Sequence, residues 1–373
     1  MRIGIDGREL LHQRTGVGRY LAELCGQWLA SEQAQPHEFV FYSPEATSDL
    51  SVLGPPFTET SNVRFRHRSV PGGAATWWEQ VTLGRAAAGD DLDLFFAPAY
   101  SAPLRLTVPT VVTMHDVSFI AHPEWFRWRE GARRRWLAQH SMARAEAIIS
   151  VSAFTRTEIL RFYNVRPERV RVVLSGITPR VATRKEDDPN PLILFVGSIF
   201  NRRHLPTLIR STAKVRHAFP TAELTIVGDD RTYPKQDLAA LVRRANLQDA
   251  ISLRSYVSES ELNELYRRAT VFVFLSEYEG FGLTPLEAMS AGVPVVVTDT
   301  PVARELYGDA ALYVPVADTT ATAAAILTLL GDTLLRDQQR RRAEARLPTF
   351  TWRRAADETL DVLEAAANGR RDG

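Results

Sequence analysis

"VFVFLSEYEGFGLTPLEAMSAGVPVVV", from Val271 to Val297, decides the fold class. Its opening run, Val271–Leu275, is β-branched, aromatic and aliphatic without a polar break, the composition of a buried strand. Two glycines follow, Gly280 and Gly282, and then the chemistry of a helix start. Thr284 suits the N-cap, Pro285 the first helical position, and Glu287 the place where a capping box takes its acid. Gly292 ends the helix, Pro294 keeps it ended, and Val293–Val297 reads as a second buried strand. The stretch is a strand, a glycine turn, a short helix and a strand. Two carboxylates, Glu279 and Glu287, bracket the glycines and leave two readings open. In one, Glu287 completes the cap and Glu279 is solvated. In the other, amides at the helix start face a phosphate while the two acids grip hydroxyls of the group it carries.

The same alternation runs outward in both directions. "RIGID" (Arg2–Asp6), "FVFY" (Phe39–Tyr42), "DLFFAP" (Asp93–Pro98), "VVTM" (Val111–Met114) and "IISVS" (Ile148–Ser152) are strands of a first half. "LILFVG" (Leu192–Gly197), "LTIVG" (Leu224–Gly228) and the two strands above belong to a second half. Helical spacing lies between them. Leu21, Leu24, Cys25, Trp28 and Leu29 share one face, and Leu262, Leu265, Tyr266 and Ala269 another, the latter behind a capping box from Ser258 to Glu261. Alternating βα units predict parallel sheets covered by helices. The predicted fold is α/β: two Rossmann-like doubly wound domains facing across a cleft, residues 1–180 and 192–350. The charged, proline-bearing "RVATRKEDDPNP" (Arg180–Pro191) is read as the linker, essentially 181–191. Residues 351–373 are read as a C-terminal helix that returns to the first domain, followed by a frayed tail.

At 373 residues the chain is long for one core, which agrees with two domains. A net charge of +1 with 24% charged residues gives no electrostatic case for nucleic acid. Only Lys185, Lys214 and Lys235 are lysines among 45 basic residues, which argues against a pyridoxal Schiff base. Cys25 stands alone, so internal disulfides and thiolate metal clusters are excluded. Asp6 sits where a secretory leader needs its apolar core, and no apolar run reaches the ~18 residues of a membrane span. A cytoplasmic protein is expected, with peripheral contact at the inner face of a membrane.

In open α/β sheets, ligands bind where loops leave the carboxyl ends of strands, and the polar oddities fall there. "RTGVGRY" (Arg14–Tyr20) follows the first strand, and His115 and Asp116 follow Met114. Arg202 and Arg203 follow Gly197, where arginine forks suit phosphate oxygens. Gly16-x-Gly18 is not a dinucleotide fingerprint. The third glycine would fall at Leu21, and the second strand ends in Tyr42-Ser43 without an acid for a ribose. A backbone approach to phosphate or acceptor by Gly16, Val17 and Gly18 fits better. His115 is either a satisfied core histidine or a site residue. Asp91-x-Asp93 precedes its strand and Asp229-Asp230 has no third ligand nearby, so no metal is expected. "HPEWFRWREGARRRW" (His122–Trp136) interleaves aromatic rings with arginines. It is read either as an interfacial membrane segment spanning Trp125–Trp136, charged by Arg133, Arg134 and Arg135, or as an ordinary amphipathic helix.

With these residues in view, the chain resembles retaining glycosyltransferases of family 4, which have the GT-B fold. "EGFGLTPLEAM" resembles that family's Glu-x(7)-Glu motif, "FVGSIFNRRHL" its strand–loop–Arg-Lys-Asn stretch, and "TGVGRY" its first glycine loop. "WWEQ" (Trp77–Gln80), "HDVSF" (His115–Phe119), "HPEWF" (His122–Phe126) and "VSAFTRTEI" (Val151–Ile159) are similar to a branch rich in mannosyl- and rhamnosyltransferases of bacterial surface polysaccharides. The resemblance implies a nucleotide-sugar donor, GDP-mannose or a UDP-sugar, and a glycan or lipid-linked glycan acceptor, with no cofactor. It implies that Glu279 binds the transferred hexose and Glu287 the ribose, and that Phe281, Gly282 and Leu283 hold sugar and distal phosphate. Arg202 and Arg203 would neutralise the leaving diphosphate, His115 would lie against the sugar, and Tyr256 is placed with the donor-binding residues. Arg203 and His204 stand where the family has Lys and Asn, and "LSGI" (Leu174–Ile177) lacks the customary Asn before Gly and Asp after Ile. A sugar-nucleotide-binding protein without transfer activity and a sugar-nucleotide epimerase are the alternatives.

Overall fold

A computed structural model describes residues 1–11, 16–45, 57, 63–73, 75–180 and 190–369. Most of the expected linker, the Arg14-Thr15 pair and the last four residues lie outside them. The chain divides into two compact units, Met1–Gly176 with the C-terminal segment from Phe350, and Ile177–Thr349.

The first unit holds seven parallel strands: β1 (Arg2–Asp6), β2 (Glu38–Ser43), β3 (Arg64–Ser69), β4 (Leu94–Ala97), β5 (Thr110–Met114), β6 (Ala147–Ser150) and β7 (Val170–Val172). Their order is β3-β2-β1-β4-β5-β6-β7. Side chains alternate across the sheet, as the two-residue period of a strand demands. Phe39 and Phe41 of β2 join Ile3, Ile5, Leu21, Trp28 and Phe96 in a core on one face. Val40 and Tyr42 join Trp78, Phe95, Val112 and Met114 in a core on the other. A sheet buried on both faces needs continuous apolar strands, and that is why β1, β2 and β4 read as such.

The C-terminal helix Trp352–Asn368 completes the first of these cores with Trp352, Leu360 and Leu363. Trp28 Nε1 donates to the Ala356 carbonyl at 3.0 Å. Gly176 makes this docking possible, since a Cβ there would stand 2.2 Å from the Trp352 nitrogen.

The second unit holds six parallel strands: β8 (Leu192–Val196), β9 (Glu223–Val227), β10 (Ile251–Arg254), β11 (Ala269–Phe274), β12 (Val295–Thr298) and β13 (Ala311–Val314). Their order, β10-β9-β8-β11-β12-β13, repeats that of the first six strands of the first unit. Both sheets are therefore doubly wound, with the strand order reversing between β1 and β4 and between β8 and β11. The crevice outside the carboxyl ends of strands at such a reversal is where ligands bind. The unit begins three residues before the expected boundary at 180. Arg180 is anchored here: its backbone nitrogen donates to Ser290 Oγ at 3.0 Å, and its guanidinium to Asn263 Oδ1 at 2.6 Å.

Candidate active site

At the strand-order reversal of the second unit, the loops leaving β8 and β11 bring Arg203 and Glu279 together. Nε and Nη2 of Arg203 lie 2.8 and 2.7 Å from Oε1 of Glu279, and Nη1 donates to the Ser198 carbonyl at 2.7 Å. Ser276 Oγ donates to the same Oε1 at 2.9 Å. These bonds leave the second carboxylate oxygen, Oε2, as an acceptor for a ligand hydroxyl. The guanidinium carbon lies 4.8 and 5.5 Å from the ring centroids of Phe274 and Phe200. Burial pulls the Arg203 pKa below its ordinary value, and the Glu279 carboxylate opposes that pull. The pair is largely desolvated, so its field on a bound anion is weakly screened.

Local backbone geometry sets this pair. Gly197, at the end of β8, has φ +144°, and a Cβ on it would lie 2.7 Å from Arg203 Nη1. Only a residue without a side chain lets the guanidinium fold back over the strand end. His204 is left-handed at φ 47° and ψ 40°, a conformation in which Asn, Asp and His are several-fold enriched. The imidazole Nε2 lies 3.2 Å from Glu277 Oε2. Arg202 packs its guanidinium 4.3 Å from the Phe200 centroid, and its carbonyl accepts from the Glu277 nitrogen at 3.0 Å, which ties the two loops together.

The helix after the glycines runs Leu283–Ser290 and starts earlier than the sequence reading has it. Gly282, not Thr284, is the N-cap, with φ +97° and no side-chain cap. The left-handed turn at Gly282 swings the chain into the helix two residues before the threonine, so Glu287 lies too far along to close a capping box. No side chain caps the first turn, and amides at a helix start suit an anion. Tyr307 fixes the turn from below, its hydroxyl donating to the Gly282 carbonyl at 2.9 Å. Burial and the nearby Glu279 carboxylate hold that phenol well above its ordinary pKa, so it remains a donor. Because a peptide's C=O and N–H point in opposite directions, this bond also aims the Leu283 N–H. Phe281 is buried beside Glu279 and Tyr307 in the wall of a small pocket that includes Ser276 and Thr300.

Glu287 is buried on the same helix, 3.7 Å from Arg180 Nε. Arg180 also reaches Glu259 at 3.2 Å and lies 5.0 Å from the Tyr266 ring centroid. Neither Tyr307 nor Arg180 is flagged by sequence reasoning. The first is an ordinary apolar position of a helix, and the second is the first residue of an apparent linker. Tyr256 is 71% exposed just after β10, with its ring open to a ligand.

The remaining expected residues belong to the first unit. His115 follows β5, with Nε2 2.7 Å from the Pro98 carbonyl and its ring edge-on to Tyr20 at 5.0 Å. A carbonyl only accepts, so Nε2 carries the proton and Nδ1 remains an acceptor. Burial lowers this imidazole's pKa and keeps it neutral. Gly16, Val17 and Gly18 do not form a free loop. They are the first turn of helix Gly16–Leu29, drawn in by the packing of Tyr20, Leu21 and Leu24. At the end of β1, Arg8 Nη2 bridges Asp6 at 3.2 Å and Glu79 at 3.1 Å, and Ser101 donates to Glu79 at 2.6 Å. Burial raises the Asp6 pKa to about 6. Nothing in the sequence announces this cluster, because Asp6 and Glu79 are 73 positions apart in the chain.

Among the described residues no three His, Cys, Asp or Glu side chains are grouped to hold a metal ion. Asp93 accepts from the Arg2 nitrogen at 2.8 Å, and Asp230 pairs with Lys235 at 2.7 Å. No helix among the described residues is long and apolar enough to cross a membrane.

Two family models match the chain: Glycosyltransferase Family 4 over residues 14–181 and Glycosyl transferases group 1 over residues 180–346. The O-antigen chain mannosyltransferase B of Escherichia coli is 29% identical over 287 residues, 73% of this chain and 74% of that protein. The GDP-mannose:cellobiosyl-diphosphopolyprenol alpha-mannosyltransferase of Komagataeibacter xylinus is 29% identical over 204 residues, about half of each chain (53% and 52%). The sucrose-phosphate synthase of Thermosynechococcus elongatus superposes with a TM-score of 0.77 at 18% identity, covering 99% of this chain and 100% of its own, which is a likeness of fold.

Proposed function

The chain belongs to glycosyltransferase family 4 and has its GT-B architecture, and from that premise we propose that it transfers mannose from GDP-mannose to a glycan or lipid-linked glycan. The proposed reaction retains anomeric configuration, needs no metal, and takes place in the cytoplasm, peripherally at the inner face of a membrane. The half-buried Arg203–Glu279 pair beside a glycine turn with no side-chain cap carries this reading. It offers two arginines and first-turn amides for a diphosphate, and a carboxylate oxygen for a sugar hydroxyl. The choice of mannose and of a guanine nucleotide rests on the names of the relatives. A UDP-sugar is the alternative donor.

In this mechanism the bond from the anomeric carbon to the diphosphate oxygen breaks while the acceptor hydroxyl attacks from the same face. Its proton passes to the departing phosphate. Charge grows on the diphosphate, and Arg202, Arg203 and the amides of Phe281, Gly282 and Leu283 stabilise it where it grows. Glu279 holds the hexose, Glu287 the ribose, and Tyr256 takes a place at the nucleotide. His115 serves the sugar as a neutral imidazole with Nδ1 accepting.

A thermal-shift series with GDP, UDP and their sugars tests the donor. A ligand at 100 times its dissociation constant adds about 2.7 kcal/mol of stability. Stabilisation by GDP-mannose, followed by mannose release or transfer at the same rate with EDTA, is the expected result. A rate lost with EDTA and restored by magnesium overturns the metal-free reading. An isomerised donor identifies an epimerase, and binding without turnover a non-transferring protein.

Glu287→Ala is expected to weaken GDP and GDP-mannose by the same factor, since both carry the ribose. It should also cost about 1 kcal/mol of stability, because Arg180 loses one carboxylate but keeps Glu259 and Asn263. Unchanged GDP affinity in a calorimetric titration removes Glu287 from the ribose.

A further inference from the structure

Of the chain's seven tryptophans, Trp28, Trp78 and Trp352 are buried in the first unit. Three others are strongly exposed: Trp77 by 75%, Trp128 by 74% and Trp136 by 53%. Exposed indoles are costly to leave in water, and the three lie on one helix and on the segment that its Arg133 contacts. Trp128 and Trp136 lie on helix Trp128–Arg144. Arg129, Arg133 and Trp136 recur there at i, i+4 and i+7 and so share a side of it. Arg133 Nη1 donates to Thr76 Oγ1 at 2.9 Å, which sets Trp77, the next residue, beside that same side. Two segments far apart in sequence thus build one aromatic surface.

The charge on this surface differs from the sequence reading. Arg134 is spent on Glu130, at 2.6 Å, and Arg135 donates to the Phe119 carbonyl at 3.1 Å. Arg129 and Arg133 have no carboxylate partner among the described residues. Arg129 instead lies 5.2 Å from the Trp128 centroid. Between Glu124 and Trp136 five arginines face two glutamates.

We propose that the face carrying Trp77, Trp128, Trp136, Arg129 and Arg133 docks on an anionic lipid bilayer. Indole rings settle at headgroup depth, and unpaired guanidinium groups beside them meet lipid phosphates. Trp125, which the expected segment includes, is not among the strongly exposed rings. Its ring is half-buried and stacked on His122 at 3.9 Å. The proposal extends the reading of a lipid-linked acceptor and rests on it, since such a substrate is presented at a bilayer.

Flotation with vesicles of phosphatidylglycerol and phosphatidylcholine, against phosphatidylcholine alone, tests the surface. The wild-type chain should float with the anionic vesicles at low salt and much less at high salt. Trp77→Ser/Trp128→Ser and Arg129→Gln/Arg133→Gln should each lower partitioning about tenfold or more. Both variants should keep the wild-type melting temperature and GDP affinity. Wild-type protein that stays in the aqueous fraction, or variants that float as well as wild type, overturn the proposal. If the wild-type chain floats but binds no GDP, the donor reading fails while the surface stands.

Discussion

Arg203→Ala should lower kcat/KM by about 10³, or roughly 4 kcal/mol of transition-state stabilisation, as loss of a preorganised donor aimed at developing charge does. The effect should fall mainly on kcat, because diphosphate charge is larger in the transition state than in the bound donor. The same substitution leaves the Glu279 carboxylate, with a side chain only 16% exposed, without its cation, so stability should fall by about 3 kcal/mol. Rates must therefore be taken at a temperature where both proteins are folded, and a melting curve supplies that check. Arg203→Lys separates charge from geometry. A lysine restores the positive charge and the residue usual in the family, but its single nitrogen cannot span both Glu279 and the Ser198 carbonyl. Recovery of most of the lost rate, with part of the stability still missing, is the expected pattern. An alanine variant as fast as wild type removes Arg203 from the mechanism.

What the sequence disclosed follows the burial of each element. The nine strands legible as apolar runs are the interior ones, β1, β2, β4, β5, β6, β8, β9, β11 and β12. The four that the pattern does not mark, β3, β7, β10 and β13, are the edges of the two sheets. An edge strand is covered less completely and carries charge against stray pairing. "RFRHRS" of β3 and "VRV" of β7 accordingly show arginines where an interior strand shows valine. The site divides in the same manner. Arg203 and Glu279 were legible because each follows an unmistakable interior strand. The capping box expected at Thr284 does not form because Gly282 turns the chain by a backbone conformation that no side-chain pattern announces. Tyr307, Arg180 and the Asp6–Arg8–Glu79 cluster depend on contacts between distant positions. Their residue types are ordinary, and only the folded sheet order brings them into play.

Glu279→Gln should cut kcat by about 10² to 10³ while GDP affinity stays within about threefold of wild type. Glutamine keeps the size of the side chain, and its amide oxygen can still accept from Ser276 and Arg203. What it loses is the negative charge and one of the two acceptor oxygens. If Oε2 receives a hydroxyl of the transferred hexose, that loss is felt by the sugar as the anomeric carbon turns positive, and free GDP, which has no hexose, hardly registers it. A competing account makes Glu279 only the partner that holds Arg203 in place. On that account Glu279→Gln acts through the arginine, so GDP binding should weaken along with turnover. The double variant with Arg203→Lys decides between them. Separate roles on sugar and diphosphate leave only the partial coupling expected of two touching side chains, whereas a single shared role gives a double variant little slower than the worse of the two singles. GDP affinity that falls as far as kcat in Glu279→Gln, together with a strongly non-additive double variant, would reassign Glu279 from the sugar to the support of Arg203.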